Sequence, residues 1–286
     1  MTSSTAKRQR QQAAGFTLLT VIAALTIFVI VAILAYILIR GVRAISPGFL
    51  FTPPSNGMKA GGIWPAIVGT FYLTLGTALF AVPLGIGAAI YLAEYAREST
   101  LTRVIRIAIT NLAGIPSVVY GLFGLGLFVL FLKFGTSILA GSMTLAIMTL
   151  PVIISTTEEA LRSVPQSFRV VSVSLGGTRW QTVRKVVLPE ALPGILTGVI
   201  LGLERAAGET APIMFTAAAF FLPRMPSSPL DPTMALPYHL FVISTQVPGM
   251  PVQIQFGTAL VLLVFVVGMN LVATLIRSRA RARRQW

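Results

Sequence analysis

Residues 158–189 read EEALRSVPQSFRVVSVSLGGTRWQTVRKVVLP, and they run directly into the glycine-spaced apolar stretch EALPGILTGVILGL at residues 190–203. The first segment is polar, amphipathic and rich in cations, and it stands between apolar runs that are long enough to cross a bilayer. A connection of this length and character is typical of a docking surface. We therefore expect a membrane protein that receives force from a partner chain through this segment.

The composition indicates a polytopic membrane protein rather than a soluble domain. Hydrophobic residues make up 55% of the 286 positions and charged residues only 10%, and the mean hydropathy is +0.84. The formal net charge of +14 would suit nucleic acid if the cations shared one soluble face, but they fall between and after the apolar runs. We interpret them as charges that orient helices in the membrane, and we expect no nucleic-acid partner.

The sequence offers little chemistry of its own. It has no cysteine and a single histidine, His239, so a disulfide framework, a thiol nucleophile and a zinc or redox site are not expected. A Walker A loop is missing as well, because none of the four lysines follows a glycine. The chain is therefore not expected to be an enzyme or to hold a cofactor or metal. If ATP and Mg²⁺ drive the protein, another chain binds them.

Six apolar runs predict an all-α bundle of about six transmembrane helices. The first run, at residues 16–39, follows a basic tail at 1–15, and its 24 residues exceed the apolar core of an ordinary signal peptide. We expect a retained helix there. The other spans are predicted at 64–93, 104–132, 137–157, 189–221 and 254–276.

The distribution of lysine and arginine predicts the orientation in the membrane. Sixteen cations lie on one face of the predicted bundle: Lys7, Arg8, Arg10, Arg97, Arg103, Arg106, Arg162, Arg169, Arg179, Arg184, Lys185, Arg277, Arg279, Arg281, Arg283 and Arg284. Five lie on the other: Arg40, Arg43, Lys59, Lys133 and Arg224. The positive-inside rule then places both basic tails, 1–15 and 277–286, and the loop 158–188 in the cytoplasm. The C-terminal arginines are also candidates for contact with anionic lipid.

Two Pro- and Gly-rich connections, 40–63 and 222–253, are then external. The second carries Asp231 and His239, and we weigh a contact surface for an external partner against simple connection. Within the spans, Thr70, Thr74 and Thr77 share a helix face. For them, and for Tyr120 beside the break at Pro116, we favour packing over a polar path.

Within the loop, the pattern predicts a helix, a glycine turn and a second helix. Residues 166–175 are compatible with a helix, Gly176 and Gly177 supply backbone freedom for the turn, and Thr178 is placed to cap the second helix. Pro189 stands at the start of the next span, where proline suits a helix N-terminus. We expect that span to move with the loop as one rigid body.

The second helix of the loop is predicted to present an apolar ridge with a basic flank to a partner. Trp180, Val183 and Val187 fall at helical spacing, whereas the positions between them are polar. The alternative is an interfacial helix that lies on lipid.

The fifth predicted span contains the most costly polar residues of the chain, Glu204, Arg205 and Glu209. Ionisable side chains in a span cost about 2.5–3.5 kcal/mol each on insertion scales, so they pair or face a cavity. Arg205 and Glu209 are four residues apart and share a face on a helix. A guanidinium also matches tetrahedral oxyanions, so we favour a place on a translocation path over a structural salt bridge. A stripe of small residues at four-residue spacing predicts a close helix seam beside the pair: Gly194, Gly198, Gly202 and Ala206.

These residues carry a resemblance. Gly176, nine further residues and then Val186, Val187, Leu188 and Pro189 resemble the EAA loop of type I ABC import permeases, although Val170-Val171-Ser172 stands where that pattern begins with Glu-Ala-Ala. Runs such as LAGIPSVVYGLFGL, GTRWQTVRKVVLPEALPGI and ERAAGETAPIMFT look like the PstA-type permease subunit of the phosphate-specific ABC transporter. The resembling runs cover most of residues 62–276.

The resemblance implies a permease domain at 64–276 with an ATPase-coupling loop at 158–188. It implies a homologous second permease subunit, a cytoplasmic ATPase dimer and an external phosphate-binding protein, in a bacterial inner membrane. The matching coupling positions are Gly176, Gly177, Trp180, Val183, Leu188 and Pro189. We expect import of phosphate by alternating access. The alternatives are another oxyanion such as sulfate or molybdate, a secondary transporter with Glu209 as the protonated group, and a scaffold or sensor subunit.

Overall fold

The computed structural model describes residues 2–282, with side chains from 12 to 279, and most of this chain is helical. The helices are α1 Thr2–Gly41, α2 Pro47–Phe51, α3 Trp64–Ile90, α4 Thr100–Ala113, α5 Ser117–Gly124, α6 Ile138–Arg162, α7 Gln166–Ser174, α8 Arg179–Thr182, α9 Leu188–Gly208, α10 Ala211–Thr216, α11 Leu236–Thr245 and α12 Val252–Ala282. Wide π turns extend α3 (Tyr91–Tyr95), extend α5 (Leu125–Phe131) and join α8 to α9 (Val183–Val187). Short 3-10 turns occupy Val42–Ala44 and Asn56–Met58. A small antiparallel hairpin pairs β1 (Pro54–Ser55) with β2 (Ala60–Gly61).

The helices account for the predicted membrane spans, with one correction, to the end of the fifth span. Within the described part, five helices are long and apolar enough to cross a membrane, and the bent pair α4–α5 raises the number to six. The predicted third span, 104–132, is interrupted at Pro116 as expected, and α4 and α5 meet there at 103°. Pro116 lacks an amide hydrogen and keeps residue 115 out of the α region, which ends α4 there. The predicted fifth span, 189–221, ends earlier, at Gly208.

Both terminal helices are longer than predicted. Helix α1 covers the predicted 16–39 and begins at Thr2, and α12 continues to Ala282. Alanine and arginine are frequent in both tails and are good helix formers. The side chains of Lys7, Arg8 and Arg10, and those of the cations after Arg279, lie outside the described residues.

The bundle has two chemically different ends. Helices α3, α6 and α12 end, and α9 begins, at a basic face that includes α7, α8 and the start of α4. Segments 42–63 and 217–251 lie at the opposite face, where Ile138 donates its amide hydrogen to the carbonyl of Asp231 at 3.0 Å. The chain therefore crosses between the two faces repeatedly, as a polytopic protein must.

Helix α6 lies at the centre of the bundle and packs against α3 on one side and α9 on another. Helix α1 is peripheral: it contacts α12, where the ring of Tyr36 meets that of Phe256 edge-on at 5.3 Å. The 222–253 connection is more than a surface strap, because α11 inserts the buried side chains of Leu236, His239 and Val242 into the core.

Polar side chains within the bundle serve packing, as favoured from the sequence. The hydroxyls of Thr70, Thr74 and Thr77 are buried and donate to carbonyls of their own helix at 2.7–2.8 Å. Tyr120 is buried as well, and its hydroxyl donates to the carbonyl of Leu112 at 2.8 Å across the α4–α5 bend. These threonines and this tyrosine are held by the protein rather than free to line a polar path.

Candidate functional site

The loop at the basic face has the predicted helix–turn–helix form. Gly176 adopts φ +84°, in the left-handed region that favours glycine, and a Cβ on Gly177 would lie 2.8 Å from the carbonyl oxygen of Ser172. Thr178 caps α8: its hydroxyl accepts from the amide of Gln181 at 3.2 Å, while the Gln181 side chain accepts from the Thr178 amide at 2.9 Å. The turn is thus fixed by backbone geometry at both ends.

The second helix of this loop is continuous with the following span. Residues 179–208 form one helical run, with the π turn Val183–Val187 in its first third. Pro189 cannot donate to the carbonyl four residues earlier, at Lys185, and the wide turn lies where that bond would otherwise form. Loop and span are therefore continuous, as the expected rigid-body movement requires, and Leu188 and Pro189 lie inside the run.

The apolar ridge predicted for α8 is only partly available to a partner. Val183 and Val187 are 2% and 0% exposed, and Val187 packs in a cluster with the ends of α3 and α6. Because α8 folds back against these helix ends, only Trp180 of the ridge, at 54%, faces outward. Further exposed apolar side chains lie on α7 and at the residue that follows it, and together with Trp180 we call them the docking patch: Phe168, Val170, Val171, Val173, Leu175 and Trp180.

The most sheltered ion pair of the basic face was not anticipated. Arg169 of α7 donates through Nε and Nη2 to the carboxylate of Glu94, with an Nη2–Oε1 distance of 2.6 Å. The same guanidinium donates to the carbonyls of Val164 and Leu161, each at 2.8 Å. From the sequence Arg169 was counted only as an orienting charge. The sequence signal that could have indicated this ion pair was Glu94, an acidic residue at the end of a span close to many basic residues.

A second cluster ties α4 to α6. Arg106 donates to Glu158 at 3.0 Å, to Glu98 at 3.1 Å and to the carbonyl of Leu92 at 3.2 Å. Glu158 also pairs with Arg162 at 2.9 Å. These contacts explain why α4 stays against the bundle although most of its side chains are exposed.

Arg205 and Glu209 are brought together, but not as two residues of one helix. Helix α9 ends at Gly208, and Glu209 follows with an extended backbone (ψ 137°), so its carboxylate turns back to Arg205 Nε at 3.4 Å. The Arg205 side chain is 37% exposed and that of Glu209 is 17% exposed. The pair is therefore partly open to its surroundings and not a sealed core salt bridge.

The seam between α6 and α9 gives the depth of this pair. An added Cβ on Gly194 would meet Ala160, on Gly198 Thr156 and on Gly202 Ile153, which defines an antiparallel register. When this register is continued by one helical turn beyond Gly202, Arg205 lies beside the middle of α6. Because α6 is a membrane span, Arg205 lies near the centre of that span. The small-residue stripe thus forms the close helix seam beside the pair that was predicted from the sequence, and its partner is α6 of the same chain.

Glu204 does not join the pair. Its Oε1 atom is buried and has no hydrogen-bond partner among the residues that the structure describes.

The predicted site residues thus fall into two groups at the ends of one helical run. The residues predicted to couple, from Gly176 to Pro189, lie at the basic face. Arg205 follows about 37 Å from Trp180 along the helix axis, and Glu209 lies just beyond it. A displacement at the first group reaches the second without crossing a flexible loop.

Comparison with known proteins agrees with this architecture. Residues 81–283 match the family described as the inner membrane component of binding-protein-dependent transport systems. A probable ABC transporter permease protein, YqgI of Bacillus subtilis (strain 168), is 37% identical over 265 residues, which is 88% of this chain and 90% of that protein. The phosphate transport system permease protein PstA of Mycobacterium leprae (strain TN) is 34% identical over 259 residues, 89% of this chain and 84% of that protein.

Solved structures support the fold at low sequence identity. A chain of a bacterial ABC transporter involved in the import of the acidic polysaccharide alginate aligns with a TM-score of 0.65 at 15% identity, over 95% of this chain and 98% of that chain. A chain of the MetNI methionine ABC transporter, in an inward-facing conformation, aligns with a TM-score of 0.59 at 19% identity, over 77% and 94%. The resemblance to ABC importer permeases of the PstA type, noted from the sequence, is confirmed. With its multi-pass helical fold and its match over residues 81–283, the chain belongs to the family of inner membrane components of binding-protein-dependent transport systems.

Proposed function

We propose that this chain is the permease subunit of an ATP-driven importer of inorganic phosphate. The observation that carries the proposal is the single helical run 179–208, which begins at the docking patch and ends at an ionisable pair near the middle of the span. A partner that pulls on the patch would tilt this run and change access to the pair. Movement of this kind, repeated in a second permease subunit, is alternating access.

Phosphate is the cargo that the chemistry and the relatives favour. Arg205 stays charged and offers planar donors to a tetrahedral oxyanion, while Glu209 neutralises part of that charge and keeps anion binding weak enough for release. PstA of Mycobacterium leprae is named as a phosphate transport permease. Sulfate or molybdate fits the same donors and is an outcome of the test below.

The partners follow from the two faces. The docking patch is close in sequence to the exposed cations Arg179, Arg184 and Lys185 and suits an ATPase dimer that binds ATP and Mg²⁺. With the excess of cations at this face, an ATPase there supports a cytoplasmic basic face and cytoplasmic termini. The opposite face, with segments 42–63 and 217–251, is available to an external phosphate-binding protein. A homologous second permease completes the path, and bacterial inner-membrane lipid covers the remaining exposed apolar surface.

The test is uptake of radiolabelled phosphate into proteoliposomes that hold the copurified complex, with the binding protein outside and ATP inside. Native complex should accumulate phosphate only with ATP, and Arg205→Gln should lose uptake while still assembling. Arg40→Gln is the matched control, because Arg40 lies at the opposite face over the ring of Tyr36 at 5.5 Å. Uptake that follows a proton gradient and ignores ATP would overturn the coupling. Preference for sulfate or molybdate would overturn the cargo.

A further inference from the structure

Helix α7 carries most of the docking patch but has little packing of its own. None of its nine residues, Gln166–Ser174, is buried in the described chain, and its larger apolar side chains point outward. An apolar face therefore does not hold α7 against the bundle. What holds it is the chain at its two ends and a small number of polar contacts.

One of these contacts leads towards α9. The hydroxyls of Ser172 and Thr182 lie 2.8 Å apart and connect α7 to α8, at the start of the helical run that ends at Arg205. This contact is neutral and acts between two elements of the same loop.

The other contact leads into the bundle. Arg169 uses three nitrogens to reach the Glu94 carboxylate beyond α3 and two carbonyls, of Leu161 and Val164, at the end of α6. Both side chains are sheltered, at 15% exposure for Arg169 and 11% for Glu94, so water competes little for these bonds. A cation at the end of α6 also complements the helix dipole.

We propose that Arg169 and Glu94 are positioning residues that form a second route for the ATPase movement, from α7 directly into α3 and the end of α6. The inference rests on the proposed function, since it assumes that an ATPase engages the docking patch. The guanidinium makes α3, α6 and α7 move as one body at the basic face. Without it, α7 would pull only on α9, and the ATPase could cycle without closing the bundle.

The exposed neighbour Glu98 provides a matched control. Glu98 follows Glu94 by four residues in the sequence, its side chain is 77% exposed, and its ion-pair partner is Arg106 rather than Arg169. Glu94→Gln removes the charge of the sheltered pair at nearly constant volume. Arg169→Lys keeps the charge but removes the planar fork that reaches three acceptors at once.

The experiment measures ATP hydrolysed per phosphate imported by the assembled complex, together with amide hydrogen exchange of residues 166–174. For Glu94→Gln and Arg169→Lys we expect this ratio to rise about tenfold and exchange in α7 to accelerate about tenfold, which is the size expected for loss of a charge-assisted hydrogen bond. ATPase turnover should stay within about twofold of native. Glu98→Gln should change neither quantity.

Two results would overturn the proposal. Unchanged exchange in α7 would show that the pair does not hold the helix, and a parallel fall of uptake and hydrolysis at constant ratio would indicate damage to docking instead of lost transmission. Hydrogen exchange does not depend on cargo. If native complex imports no phosphate but exchange accelerates only in the Glu94 and Arg169 variants, the proposed cargo fails and the positioning role stands.

Discussion

Gly198→Ala tests the seam that sets the position of Arg205. The new methyl group would lie 2.7 Å from Cβ of Thr156 and closer still to its hydroxyl. Thr156 cannot rotate away freely, because its hydroxyl donates to the carbonyl of Val152 at 2.7 Å. Overpacking costs about 1–3 kcal/mol and the lost hydrogen bond about 1 kcal/mol, while alanine in place of glycine recovers about 1 kcal/mol of helix propensity. We expect a net destabilisation of about 1–3 kcal/mol.

The assay is the free energy of unfolding by denaturing detergent in mixed micelles, with Gly208→Ala as the control on the same helix. A Cβ on Gly208 would meet no heavy atom within 4 Å among the described residues, so that variant should be as stable as native or slightly more so. Thr156→Gly in the Gly198→Ala background should restore part of the loss, as a coupled pair in contact does. Equal stability of Gly198→Ala and Gly208→Ala would refute the close α6–α9 seam.

Three further results are expected. Thr178→Ala should destabilise the loop by about 1 kcal/mol through loss of the capping box with Gln181, measured as faster hydrogen exchange in α8. Trp180→Ala should weaken binding of the ATPase, measured by titration of the reconstituted complex, without lowering thermal stability, since its side chain is 54% exposed. Hydrogen bonds from the backbone and hydroxyl of Ser227 hold the pKa of Asp231 below its usual value of 3.8. The ionised Asp231 carboxylate therefore stabilises the fold fully above pH 3.8, and this stabilisation is lost as the pH falls through the lowered pKa. Asp231→Asn should remove this acid dependence from a profile of thermal stability against pH.

The membrane architecture could be predicted from the sequence because bilayer spans leave long apolar runs. The first span and the helix–turn–helix loop depend on local patterns, such as the capping Thr178 and the paired glycines 176 and 177, and these were predicted correctly. The break at Pro116 was visible as a proline within an apolar run, but its 103° angle depends on how α4 packs on α6. That packing involves Arg106 and Glu158, which are 52 positions apart.

The site was predictable as a set of residue types and not as a geometry. Arg205 and Glu209 were found because charges in a span are costly, yet the four-residue spacing suggested a continuous helix that in fact ends between them. Val183 looked like a partner contact because helical spacing does not say which neighbour covers an apolar face. The pair of Arg169 and Glu94 was missed because its two residues are 75 positions apart in sequence, and local patterns do not show which distant residues meet.

The glycine seam has a mechanical consequence for the run 179–208. Where Gly194, Gly198 and Gly202 press against α6, the helical run has a fulcrum, with an arm of about 27 Å from Gly198 to Trp180 and one of about 10.5 Å to Arg205. A sideways step at Trp180 is then reversed and reduced to less than half at Arg205, while the force is multiplied by about 2.6 from the ratio of the arms. Leverage of this kind converts a wide, weak displacement at Trp180 into a short, strong one at the charged pair.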